Sequence, residues 1–134
     1  MFIDASALVA MVVGEPEAAQ LAARMEATAS RRTSPIALYE TVAAVARILA
    51  IPIGDAEVAV DDLLRVGSIQ VMPVPAEAAT LALDAFARFG KGRGSPAQLN
   101  LGDCFAYACA RHLGEPLLYK GDDFARTDIE SAMD

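Results

Sequence analysis

A single histidine, His112, stands in a chain of 134 residues. That scarcity removes mechanisms needing two imidazoles as acid and base, and it excludes a multi-histidine metal site. Cysteine is almost as rare. Cys104 and Cys109 lie five apart in a helix-like stretch, so they form no CxxC pair and cannot hold zinc without other ligands. They are expected to be two buried, reduced thiols. Positive charge is also in short supply, with 11 basic against 18 acidic residues and a formal charge of −7. That balance argues against binding nucleic acid by bulk positive charge alone, but not against an enzyme whose positive charge arrives as metal ions. No apolar run is long enough to span a bilayer, the longest being Ala7 to Val13. The opening Met1-Phe2-Ile3-Asp4 has no basic segment of the kind that starts a signal peptide, so a reducing cytoplasm is the expected compartment.

Hydrophobic residues, much of them alanine, make up 54% of the chain, which excludes a mostly disordered protein. The length suits one domain, residues 1–134, with a core that needs neither disulfide nor structural metal. Met1 to Asp4 reads as a first buried strand. Periodicity leaves Ala5 to Val13 open between strand and helix, and Ser6 as an N-cap favours helix. Helices are expected over Pro16 to Thr28, from Pro35 to before Pro52, over Ala56 to Val66, from Pro75 to about Phe89 with Leu81, Leu83 and Phe86, and over Leu101 to Leu113. Strands are expected at Arg31 to Thr33, Ile69 to Val74, Leu117 to Lys120 and, last and short, Asp128-Ile129. Gly90 to Ala97 is a glycine-rich loop. This alternation implies an α/β fold, a parallel sheet with helices on both faces.

In such a sheet ligands bind beyond the carboxyl ends of the strands. Asp4 falls at the end of the first strand, and Asp122 and Asp123 fall just past the strand Leu117 to Lys120. Glu40 falls in the second turn of the helix that follows Arg31 to Thr33. Those acids share one rim. Asp103, in the first turn of its helix, joins them only if the Gly90 to Ala97 loop sits there. Each has a plain alternative: a strand-to-helix cap for Asp4, a solvated charge for Glu40, a helix-dipole partner for Asp103, turn chemistry for Asp122 and Asp123. Together they would repel one another unless a cation neutralised them. With one histidine and no thiolate cluster, the hard ions Mg²⁺ and Mn²⁺ suit such a site best, and it would activate water for in-line displacement at phosphorus.

The ordered set Ile3-Asp4-Ala5-Ser6-Ala7-Leu8, Glu40, Asn100-Leu101-Gly102-Asp103-Cys104 and Lys120-Gly121-Asp122-Asp123-Phe124, with Thr127-Asp128, resembles the PIN-domain ribonucleases, and among them the VapC toxins of type II toxin–antitoxin systems. The resemblance runs from residue 3 to about 130. It implies an α/β/α sandwich around a parallel sheet. It also implies an Mg²⁺-dependent endoribonuclease, with Mn²⁺ as a substitute, leaving a 3′-hydroxyl and a 5′-phosphate. By position, Asp4 and Asp103 would be the principal metal ligands and Glu40 would complete the site. Asp122 would be the fourth acid, taken over Asp123 because it comes sooner after the strand. Ser6 would orient a carboxylate or a water.

The resemblance further implies a homodimer, a heterotetramer or larger assembly with a VapB-type antitoxin, and an antitoxin segment laid across the site. Electrostatics would draw a basic segment to this acidic chain. The apolar helices around Leu38 to Ile53 and Val58 to Leu64 offer a groove for it. For the RNA substrate, the candidate phosphate contacts are Arg88, Lys91 and Arg93 around the glycine-rich loop, with Arg31, Arg32 and Lys120 adding to the field. A DNA nuclease of the same fold and an inactive RNA- or protein-binding module are the competing readings. An aspartyl-phosphate phosphatase is disfavoured, because Ser6 stands where its second acid would be.

Overall fold

The computed structural model describes residues 1–134. Four parallel strands, β1 (Phe2–Ile3), β2 (Arg32–Thr33), β3 (Gln70–Val71) and β4 (Leu117–Leu118), form one sheet in the order β3-β2-β1-β4. Phe2 pairs with both Arg32 and Leu117, and Thr33 with Val71. Each strand is only two residues long. Because side chains alternate across a strand, one residue of each pair enters each face. Phe2 and Leu117 join the apolar cluster beneath the C-terminal helices, while Ile3 and Leu118 join the cluster beneath the N-terminal ones. Burial on both faces makes the architecture an α/β/α sandwich, as the alternating pattern implied.

The six helices are α1 (Ala5–Val13), α2 (Ala18–Glu26), α3 (Pro35–Leu49), α4 (Ile53–Val66), α5 (Ala78–Phe89) and α6 (Leu101–Leu113), followed by a 3-10 turn at Phe124–Arg126. Ala5 to Val13 is helix, but its N-cap is Asp4, not Ser6. The Asp4 carboxylate accepts from the Ser6 N–H, so the residue that ends β1 also starts α1. Ser34 caps α3 and is followed by proline at the first helical position, as its sequence announces. The α2 stripe of Leu21 and Met25 is buried as spaced.

Three sequence expectations need correction. The strand expected over Ile69 to Val74 shortens to Gln70–Val71, since Pro73 and Pro75 supply no N–H to a ladder. Asp128-Ile129 is not a strand. The chain instead bridges Leu117 at Ser131, and Asp128 is held by side chains. In α5 the buried stripe is Ala78, Ala82 and Ala85, whose small side chains allow close packing against α6, whereas Leu83 is 67% exposed and Phe86 43%. Helices α2 and α5 also begin later than expected, and α4 begins at Ile53 behind Pro52 as its N-cap.

Candidate active site

Asp4 is 3% exposed and lies at the carboxyl end of the central strand β1. Ser6 fixes it twice: the Ser6 Oγ–H donates to Asp4 Oδ2 at 2.6 Å, and the Ser6 N–H donates to the same oxygen at 3.0 Å. The Ser6 oxygen in turn accepts from the Lys120 N–H at 3.0 Å, so the chain leaving β4 locks the serine that locks the acid. Burial pushes the Asp4 carboxyl up against the lowering effect of the Ser6 hydrogen bonds.

Glu40 sits on α3 behind the Ser34 cap, whose Oγ accepts from Ala37 N–H. Asp103 sits in the first turn of α6 within a reciprocal cap. Asn100 Oδ1 accepts from Asp103 N–H at 2.8 Å, and Asp103 Oδ2 accepts from Asn100 N–H at 3.0 Å. The three acids line one open cleft of about 360 Å³, together with Ser6. Their fields interact. Glu40 is pushed up to about 7 by burial and by the charges of Asp4 and Asp103. Asp103 is pushed up to about 6 by burial and by the charges of Asp4 and Asp123, against the opposing Asn100 hydrogen bond. Burial is the larger cause at both carboxyls, and the neighbouring acids add to it.

Asp122 and Asp123 are both exposed, in the turn after Gly121. Gly121 has left-handed backbone (φ 101°) at the start of this turn. Of the pair, Asp123 is the one whose charge acts on Asp103.

Glu15, Arg47 and Lys120 also line the cleft. Lys120 Nζ is ion-paired to Glu15 and lies 3.5 Å from Glu17. Sequence reasoning passed over Arg47, yet the signal was present. It follows Glu40 by seven residues, two turns along the same face of α3.

The other basic candidates lie elsewhere. Arg88 donates to Asp84 (2.7 Å), Asp128 (3.0 Å) and Tyr107 Oη (2.7 Å), and it stacks on Phe89. Arg111 joins the same cluster through Asp128. Burial opposes ionisation of Asp128, but hydrogen bonds from Tyr107, Arg88 and Arg111 outweigh it and hold its carboxyl at about 2. Arg93 lies over the Phe86 ring at 5.7 Å, and Lys91 borders an apolar hollow of about 470 Å³ beside α5. Arg31 is spent on the carbonyls of Glu26, Thr28 and Gly67, and Arg32 on Glu115.

The acids Asp4, Glu40 and Asp103 offer carboxylate oxygens only, with Arg47 and Lys120 as the basic side chains in the same cleft. Carboxylate oxygen is the donor chemistry a hard divalent cation requires. No three acids converge on a single point as they stand. Mg²⁺ needs only one or two direct carboxylates and keeps its waters, so the carboxylate chemistry of the cleft suits such an ion.

The PIN domain family model matches residues 1–130. A VapC ribonuclease of Rhizobium meliloti (strain 1021) is 40% identical, covering 96% of this chain and 98% of the relative. Ribonuclease VapC42 of Mycobacterium tuberculosis is 42% identical, covering 98% of each. Among solved structures, the sarcin-ricin-loop-cleaving toxin VapC20 of Mycobacterium tuberculosis superposes with a TM-score of 0.72 at 21% identity, over 96% of this chain and 95% of that one, a match that shows the fold. A central strand ending on a serine-locked aspartate, two further acids brought to it by α3 and α6, and full-length similarity to these ribonucleases lead to one assignment: the chain belongs to the PIN-domain family, among its VapC ribonucleases.

Proposed function

We propose that this VapC-type endoribonuclease is the toxin of a type II toxin–antitoxin pair and hydrolyses RNA at the cleft of Asp4, Glu40 and Asp103. The observation that carries the reading is the gathering of Asp4, Glu40 and Asp103 along one cleft at the end of the central strand. Asp4 and Asp103 are the principal ligands of a divalent cation, Glu40 completes the set, and Asp123, in place of Asp122, is the fourth acid. Mg²⁺ is the ion we assign, with Mn²⁺ as a substitute. When bound, such a cation supplies the positive charge that activates an attacking water and offsets charge developing on the phosphate oxygens.

The chain's own residues do the rest. Ser6 holds Asp4 in one orientation from both its hydroxyl and its N–H. The α6 cap holds Asp103. Burial of Asp4 keeps water from competing for its oxygens. Arg47 and Lys120 at the edge of the cleft supply phosphate contacts next to the acids, and Lys91 and Arg93 extend that contact at a distance. Arg88 is reserved for the Asp84–Asp128 cluster.

The antitoxin has a seat available. A groove of about 530 Å³ between α3 and α4 is lined by Leu38, Tyr39, Val42 and Ile53, with Tyr39 77% and Ile53 60% exposed. It suits an apolar helix carrying a basic tail, drawn by the net charge of −7. We assign a homodimer and larger assemblies with the antitoxin. Both cysteines are free and buried, which fits the reducing cytoplasm we assign. No helix is long and apolar enough to cross a membrane.

The test is cleavage of a defined structured RNA with Mg²⁺ or Mn²⁺, beside Asp103→Asn purified identically. Activity that disappears in EDTA and in the variant supports the reading. Equal activity in both proteins would overturn it.

A further inference from the structure

Gly102 is the second residue of α6, is buried, and has ordinary helical backbone. Alanine would suit such a position better than glycine. A Cβ there, however, would overlap the side chain of Glu40. The three nearest atoms are Oε1, Oε2 and Cδ of that one carboxylate, with no backbone atom among them. The contrast with the other glycines is informative. Gly14, Gly92, Gly94, Gly114 and Gly121 have left-handed backbone and open space around them, Gly54 has open space, Gly90 would meet Phe86 of the helix it ends, and Gly67 would meet the Leu63 carbonyl and the apolar ends of Met25 and Ile69. At Gly102 the requirement comes from an acid on a different helix.

We propose that Gly102 is a positioning residue of the acid site. Its missing side chain is the seat that lets the Glu40 carboxylate rest against α6, one residue from Asp103. The inference deepens the nuclease reading of the cleft and rests on it. It explains how the Glu40 carboxylate finds room beside Asp103. The position is held by shape, with no hydrogen bond to draw the carboxylate in. A methyl group at this position would push the carboxylate out toward solvent while leaving the fold in place, because the obstructing group is the end of a flexible side chain.

The experiment is a double-mutant cycle on the full chain, with Gly102→Ala, Glu40→Ala and their combination. It is read by thermal unfolding in EDTA, by Mn²⁺ calorimetry without RNA, and by RNA cleavage. With Glu40 replaced by Ala, Gly102→Ala should raise Tm by about 3 °C as helix propensity is realised. With Glu40 present the same change should raise Tm less or lower it. Gly102→Ala alone should weaken Mn²⁺ binding and cleavage about 10–100-fold. Glu40→Asp, one methylene shorter, should impair the otherwise wild-type protein but partly rescue the Gly102→Ala variant.

An equal Tm shift in both backgrounds, with Mn²⁺ affinity and cleavage within about twofold of wild type, would overturn the proposal. A wild-type protein that neither binds Mn²⁺ nor cleaves RNA would instead defeat the nuclease reading. Coupling between positions 102 and 40 in the unfolding data would still stand as evidence for the seat.

Discussion

Replacing Glu40 by Gln should stabilise the metal-free protein at pH 8 and do nothing at pH 4.5. Burial and the charges of Asp4 and Asp103 raise this carboxyl from 4.5 to about 7, with no hydrogen bond opposing the rise. The folded state therefore holds the proton more tightly than the unfolded one. Between those two values the native chain binds more protons, so stability falls as pH rises through the window. At 1.36 kcal/mol per pH unit, the displacement from 4.5 to about 7 corresponds to about 3 kcal/mol. Glu40 is only half-buried, and solvent screening brings this down to ~1–2 kcal/mol. Gln has nearly the same shape, loses no hydrogen bond and carries no charge.

The expected gain in Tm at pH 8 is about 3–8 °C for a chain of this length. The assay is thermal unfolding in EDTA at pH 4.5 and pH 8, for wild type and variant side by side. A gain of equal size at both values would refute the argument, because it would come from packing and not from charge. No gain at pH 8 would refute it too, since the repulsion would then be absent. Added Mn²⁺ should narrow the difference by stabilising the wild type more than the variant.

Other outcomes follow from the same geometry. Asp4→Asn should abolish cleavage and keep apo stability, since Asn still caps α1, whereas Asp4→Ala should also lose about 1 kcal/mol in urea unfolding. Arg47→Ala should raise KM for RNA and reduce the slope of log affinity against log salt by about 1, measured by titration from low to moderate ionic strength. Tyr107→Phe removes the hydroxyl shared by Arg88 and Asp128, and should cost ~1–2 kcal/mol in denaturant unfolding with RNA affinity unchanged. Because Asp128 is held at about 2, its contribution is present above the ordinary carboxylate value and should be lost only as pH falls toward 2, observable as a Tyr107-dependent step in acid unfolding.

The parallel sheet was legible because strand and helix signals alternate and because Ser34-Pro35 is a strong local start. Asp4 and Glu40 were placed at one rim by topology alone. Topology left Asp103 conditional on where the Gly90 to Ala97 loop sits, and the family resemblance was what assigned it a role. The face of α5 was misread. Leu83 and Phe86 outrank alanine in hydropathy, but close approach to α6 requires small side chains, and periodicity carries no information about interhelical distance. The ion pairs of Arg88 were not legible, because one partner, Asp128, lies 40 residues away in the chain. Asp122 and Asp123 could not be separated, because adjacent identical residues in a turn offer no pattern to distinguish them.

The double duty of Asp4 has a genetic consequence. The residue caps α1 and is also the deepest acid, and Asp103 likewise belongs to a helix cap, whereas Glu40 has no structural bond to lose. A cell freed from its toxin by spontaneous mutation therefore meets three unequal targets. At Asp4 and Asp103 most replacements weaken the fold, and a well-folded inactive protein arises mainly through Asn. At Glu40 many replacements leave a stable chain. Survivors that still accumulate full-length protein, and can still engage an antitoxin, should carry diverse residues at position 40 and a narrow choice at positions 4 and 103.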